Sequence, residues 1–292
     1  MIRPHRLTFI AAASLAAVLL VASFGCAPKT APGLTMDSPR AAWQAFRLHS
    51  CTPADEPGLL LKASLYYTRM KPTKRTNRTL VSMWGDFGGP MRLDISAGIG
   101  KLLAHIREDE NGLLVFYPTE GVAYAHSNSV LGATRLGMPF PFSLAELGRV
   151  SMGDFSGLTP EGYIGSRQND KGFTFELHGS RASTITLDIL GRPILLEGKT
   201  VKAYDSARTW RLEIDRYEET TGKTPLPARL ILSMDNGEKG VLRIKSREFK
   251  VTQWPTTATD LELPEDVIYH RLDNGFKPIE KKDLPAAHED TP

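Results

Sequence analysis

The chain has only two cysteines in 292 residues, Cys26 and Cys51. If Cys26 is consumed by lipid attachment, as argued below, no intramolecular disulfide is possible and the fold must hold by packing alone. Cys51, in His49-Ser50-Cys51-Thr52-Pro53, then reads as an inert loop or helix-end thiol rather than a nucleophile. There is no Cys-x-x-Cys, no His-Glu-x-x-His and no Gly-x-Ser-x-Gly elbow, and Gly98-Ile99-Gly100-Lys101 lacks the spacing and the following helix of a phosphate loop. The histidines past the N-terminal run, His49, His105, His126, His178, His270 and His288, stand singly, without the i, i+2 or i, i+4 spacing of a metal site. His105 and His126 fall in neighbouring strand candidates, where the ordinary reading is a pair of surface histidines. Asp86, Asp94, Glu108, Asp109 and Glu110 lie mostly at strand ends and turns and form no acid–base pair. No catalytic residue, metal or cofactor is therefore expected, and the chain does not read as an enzyme. It also lacks an excess of one charge, with 36 basic against 33 acidic side chains, so nothing steers it toward nucleic acid.

No apolar run is long enough to span a membrane. The longest, Leu7 to Ala22, falls short of the ~20 residues a spanning helix needs. It follows a basic head of Arg3 and Arg6 and leads into Ser23-Phe24-Gly25-Cys26, the pattern of a cleavable export signal ending at a lipidation cysteine. The expected organisation is a signal peptide over 1–25, a lipidated Pro- and Gly-bearing tether over 26–37, a folded domain over 38–264, and a charged, Pro-containing tail over 265–292. The acyl chains on Cys26, at ~0.8 kcal/mol per buried methylene, would anchor the protein to a membrane surface. Loss of Arg3 and Arg6 with the signal brings the net charge from +3 to near zero.

Asp37-Ser38-Pro39 opens a helix: Ser38 caps it, Pro39 suits its first position, and Ala42, Trp43, Ala45 and Phe46 make one apolar face. From Leu59 the pattern changes to strands at 59–69, 79–84, 91–96, 102–107, 113–117 and 122–126, separated by short turns that imply antiparallel pairing. Helices over 128–136 and 143–150, joined by Gly137-Met138-Pro139-Phe140-Pro141-Phe142, read as an apolar plug or lid. Strands resume at 173–178, 184–190, 194–199, 207–217, 228–234 and 241–251, with a possible edge strand at 260–263. The expected fold class is mainly β with a few helices: a half-open, curved antiparallel barrel whose internal helices cover an apolar cavity. In Leu113-Leu114-Val115-Phe116-Tyr117 both faces are bulky, which suits either a strand covered on both sides or one lining that cavity.

Arg92-Leu93-Asp94-Ile95-Ser96-Ala97-Gly98-Ile99-Gly100, followed by Leu131-Gly132-Ala133-Thr134-Arg135-Leu136-Gly137-Met138-Pro139-Phe140-Pro141-Phe142-Ser143-Leu144, resembles the outer-membrane lipoprotein receptor LolB family. The closing strands, around Trp210–Tyr217, Leu226–Leu230 and Arg243–Lys245, are similar too, so the resemblance spans roughly 38–254. It implies an acyl-chain cavity, for which the candidate residues are Trp84, Phe116, Tyr124, Leu136, Phe140, Phe142, Leu144 and Trp210. It also implies cargo received from a LolA-like periplasmic carrier and a membrane-insertion loop at Gly98, Ile99 and Gly100. Ile99 stands where the family has leucine and Ala97 where it has proline. Residues 159–201 add strand material, and the tail runs past the family's usual end. Ala27 is not the aspartate that retains lipoproteins at the inner membrane of enteric bacteria, which favours the outer membrane, facing the periplasm. The alternative use of the same fold is a structural or assembly lipoprotein that offers its sheet as a docking surface in an envelope complex.

Overall fold

The computed structural model describes residues 36–52, 56–98, 100–138, 141–200, 208–218, 224–273 and 277–278. The signal segment, Cys26, nearly all of the tether, Ile99 and Phe140 lie outside the described residues.

Helix α1 (Pro39–Ser50) starts as its sequence requires: the Ser38 hydroxyl accepts from the Ala41 amide at 3.2 Å, with proline in the first turn. The chain then runs through β1 (Gly58–Arg69), β2 (Arg75–Asp86), β3 (Met91–Ala97), β4 (Lys101–Asp109), β5 (Gly112–Tyr117) and β6 (Val122–His126). Two short helices follow, α2 (Ser129–Arg135) and α3 (Leu144–Ser151). The second run is β7 (Gly165–Asn169), β8 (Gly172–Glu176), β9 (Ala182–Leu187), β10 (Pro193–Lys199), β11 (Thr209–Glu218), β12 (Leu226–Met234) and β13 (Lys239–Lys250). A one-turn helix α4 (Thr256–Thr259) leads to β14 (Ile268–Arg271) and β15 (Lys277–Pro278).

All fifteen strands belong to one sheet, ordered β15-β14-β6-β5-β4-β3-β2-β1-β13-β12-β11-β10-β9-β8-β7. The first run folds outward from β1 by successive hairpins, the second folds back from β7 to β13, and β1–β13 pairing joins them. Every pairing is antiparallel except β14 with β6. The two ends of the order do not pair, so the sheet is large and curved but not closed into a barrel.

Leaving a sheet open exposes one apolar face, and the helices cover it. Leu59, Leu61, Ala63 and Leu65 alternate along β1 onto that face. Helix α1 sets Trp43 and Phe46 over β7 and β9, with the Trp43 ring 5.0 Å from Phe175 and 5.2 Å from Tyr163. Helix α2 covers β5 and β6, approaching so closely that a Cβ on Gly132 would stand 2.7 Å from the His126 Cβ. Helix α3 touches both β3 and β12, four strand positions apart, because the sheet curves about it.

Three features differ from the sequence reading. Strand β7 is polar and exposed, so no apolar alternation marks it; pairing with β8 alone defines it. No strand forms over 260–263. Instead the segment 254–260 crosses the opposite face of the sheet as a strap, its carbonyls taken by side chains rather than by a ladder. Trp84 Nε1 donates to the Ala258 carbonyl at 2.8 Å, Arg107 Nε to that of Thr259 at 3.2 Å, and Arg92 to that of Asp260. The chain then returns to the sheet as β14, so the sheet continues beyond residue 264.

Trp210 on β11 lies directly across Gly198 on β10: an added Cβ at Gly198 would stand 2.4 Å from both Trp210 Cζ2 and the Arg181 carbonyl oxygen. Gly198→Ala therefore overpacks a site where one neighbour is backbone, and urea unfolding should show a loss of about 1–3 kcal/mol.

Candidate functional site

The covered face is apolar and almost filled. Beneath α3 it retains two gaps, of about 10 and 20 Å³, near the smallest space that holds one water molecule. Leu61, Val81, Met83 and Ile95 help to line the first, and Phe142, Leu212, Leu230 and Leu232 the second. Leu65, Leu147 and Leu242 line both. Leu147 comes from α3, so the helix, with Leu65 and Leu242 of the sheet, borders both gaps of this narrow apolar slot.

Helix α3 is held over the slot at both ends. At its N-terminus Ser143 and Glu146 form a reciprocal capping box, with Ser143 Oγ accepting from the Glu146 amide at 3.0 Å and the Glu146 carboxylate accepting from the Ser143 amide at 2.8 Å. Glu108 reaches from β4 to accept from the Leu144 amide at 2.8 Å and the Ala145 amide at 3.4 Å. Burial pushes the Glu108 carboxyl above its ordinary range, and those two helix N–H groups oppose the shift without cancelling it. Arg181 pairs with Glu146 at 3.0 Å. Near the C-terminus Arg149 lies over the Phe87 ring, 5.1 Å from its centroid, and Arg247 donates to the Ser151 carbonyl at 2.6 Å. Gly148 lets the helix approach the sheet, since a Cβ there would stand 2.9 Å from Leu59 Cδ2.

The structure brings together three of the residues expected to line a cavity. Phe142 and Trp210 meet edge to face at 5.0 Å, and Leu144 opens α3 beside them. Leu136 is half-buried against the same core. Tyr124 lies toward the sheet edge, between Tyr117 and His270, with ring separations of 6.0 and 5.3 Å. Trp84 and Phe116 stand on the opposite face, Trp84 under the strap and Phe116 stacked on His105 at 6.2 Å, so β5 is covered on both sides. His105 and His126 do not meet. The first hydrogen-bonds Asp94 at 2.8 Å on the strap side, and the second lies under α2 on the helix side. Gly98 and Gly100 have φ of +60° and +81°, a region that favours glycine, with nothing within 4 Å of where a Cβ would be at either.

Sequence reasoning missed Leu65, Leu147 and Leu242. Their signal was present, in the period-two run of β1 and the three-residue steps Leu144, Leu147 and Val150. Cys51 is buried at the end of α1, with its sulfur 3.7 Å from Thr159 Oγ1, and burial pushes its thiol up to about 11. Among the described residues, no three His, Cys, Asp or Glu side chains stand close enough to hold a metal ion.

No family model and no curated protein matches the chain. Among solved structures, it is similar to a LolA superfamily protein from Nitrosomonas europaea at 13% identity and a TM-score of 0.50, covering 76% of this chain and 97% of that one. What the two share is the fold. A DUF1329 family protein from Desulfovibrio piger matches at 12% identity and a TM-score of 0.49, over 76% of this chain and 98% of that one.

The raised Glu108 carboxyl fixes the sign of one pH effect. A group that holds its proton more tightly when folded makes stability decline as pH rises from its unfolded value, about 4.5, to its folded one. Urea midpoints measured at successive pH values should show that decline in the wild type and lack it in Glu108→Gln. An unchanged profile would show that Glu108 is not the group responsible.

Proposed function

We propose that this chain is a lipid-anchored envelope protein that takes the acyl chains of a lipoprotein, or of a related amphiphile, into the slot beneath α3 and helps to insert them into the outer membrane. The observation that carries the reading is a pair of apolar gaps that share Leu65, Leu147 and Leu242, under a short helix that rests on an open sheet. A sheet that does not close lets its covering helix move without breaking a ladder of strand hydrogen bonds. The gaps are far smaller than an acyl chain, so in this reading loading requires α3 to withdraw. The LolA-superfamily fold and the LolB-like motifs support the same reading. In it the Gly98–Gly100 loop meets the bilayer, Cys26 carries the anchor, and cargo arrives from a LolA-like carrier. No residue has a catalytic part.

The nearly filled interior favours a second reading, in which the same fold serves as a docking surface in an envelope complex.

Native mass spectrometry of the unacylated chain from residue 27, mixed with a synthetic diacylated lipopeptide, separates the two. Cargo binding gives a one-to-one complex that Leu147→Trp, which adds bulk beside both gaps, weakens at least about ten-fold while far-ultraviolet circular dichroism stays unchanged. An apo mass at every lipopeptide concentration sinks the cargo reading and leaves the docking protein. Independently, wild-type protein made in bacterial cells fed labelled palmitate should carry label, and Cys26→Ser should carry none.

A further inference from the structure

From Pro57 to Gly85 the sequence contains no aspartate or glutamate, yet five cationic side chains fall within ten residues: Arg69, Lys71, Lys74, Arg75 and Arg78. The structure gathers them on the β1–β2 hairpin, whose tip pairs Arg69 with Arg75. On the β1 side the hairpin is paired with β13 as far as Thr68, opposite Lys239, but on the β2 side pairing with β3 begins only at Leu80, opposite Ser96, so residues 75–79 form an unpaired edge about 17 Å long at the ~3.4 Å rise of a strand. All five cations are exposed, and none has an ion-pair partner among the described residues; Arg78 instead lies over the Tyr66 ring, 5.7 Å from its centroid. The neighbouring β12–β13 turn brings two acids near the five cations: Asp235, which accepts from the Thr209 amide at 2.8 Å, and Glu238, whose charge reaches Tyr67. Met70, at the same tip, is 36% exposed and packs its side chain against Gly237 of the β12–β13 turn.

Charges on an unpaired strand edge are an ordinary guard against edge-to-edge association, and that accounts for Arg75 and Arg78. It does not account for the cations at the tip, nor for the absence of acids over the whole hairpin. We infer that the β1–β2 hairpin is an electrostatic docking site for anionic lipid headgroups. Phosphate-bearing headgroups match unpaired guanidinium and ammonium groups. The β3–β4 turn, with Gly98 and Gly100, lies at the same end of the sheet, so docking by the hairpin turns this end toward the bilayer. An acyl anchor on a tether holds a protein near a membrane without orienting it; a basic hairpin orients it.

The test needs no cargo, so it stands or falls apart from the acyl-chain reading. The unacylated chain from residue 27 is sedimented with vesicles of phosphatidylcholine alone, or of phosphatidylcholine with phosphatidylglycerol, at low and at physiological salt. Binding should appear only with phosphatidylglycerol, weaken as salt rises, and fall about a hundred-fold in the triple variant Lys71→Glu, Lys74→Glu, Arg75→Glu. A control triple variant with the same charge change elsewhere, Arg167→Glu, Lys171→Glu, Arg216→Glu, should keep most of its binding. Equal loss in both variants would reduce the effect to net charge and overturn the assignment. Equal binding to neutral vesicles would do the same, and absence of binding to either vesicle would return the hairpin to edge protection or to an acidic protein partner.

Discussion

Everything in this molecule turns on one constraint: a fifteen-stranded sheet whose ends do not meet has an apolar face that something must cover. Cys51 is the one cysteine among the described residues, and it is free, so no disulfide helps to cover that face there and packing does the work. Three helices divide the task. Helix α1 closes one flank through Trp43 and Phe46, α2 the other through Val130 and Ala133, and α3 the middle through Leu144, Leu147 and Val150. Among the described residues α3 packs on β3 of one half of the sheet and β12 of the other, so there the curvature of the sheet and the filling of its interior meet.

The polar contacts follow the same division. On the helix side, buried charge is used sparingly and for attachment, with Glu108 tying the start of α3 to β4 and Arg247 tying its end to β13. On the opposite face Arg92 is buried over the Trp84 ring, shares Asp94 with His105, and holds the strap through the Asp260 carbonyl. One face is therefore closed by apolar helices and the other by a segment fastened through side chains. Attachments confined to the two ends of α3 are fewer than a strand ladder would provide, which leaves the middle of the helix dependent on Leu147.

Much of this was legible because it depends on local rules. The Ser38–Pro39 start of α1, the alternation in β1 and the turns between β2 and β6 need no tertiary information, and their positions agree with the sequence reading to within a few residues. What was hidden needed a partner to define it. Strand β7 is polar on both faces, the strap is fixed by donors far away in sequence, and β14 exists because β6 offers an edge. The candidate cavity residues divide in the same way. Phe142 and Leu144 adjoin a capped helix whose direction the capping box sets. Trp84 and Phe116 sit in strands bulky on both faces, where composition leaves unsettled which parity points inward, and they point away.

The energetics bear on whether a closed slot suits a carrier of acyl chains. Withdrawing α3 exposes Leu144, Leu147 and Val150, and at ~1.5–3 kcal/mol for each buried aliphatic side chain the apolar cost is roughly 5–9 kcal/mol. An acyl chain entering in their place gains ~0.8 kcal/mol for each methylene it buries, so about ten buried methylenes return a similar amount. On the acyl-chain reading the exchange is thus close to balanced, with the helix and the cargo competing for the same face. A wide, permanently open cavity would hold cargo without opposition and release it slowly. A face that its own helix can reoccupy lowers the cost of giving cargo up to a bilayer.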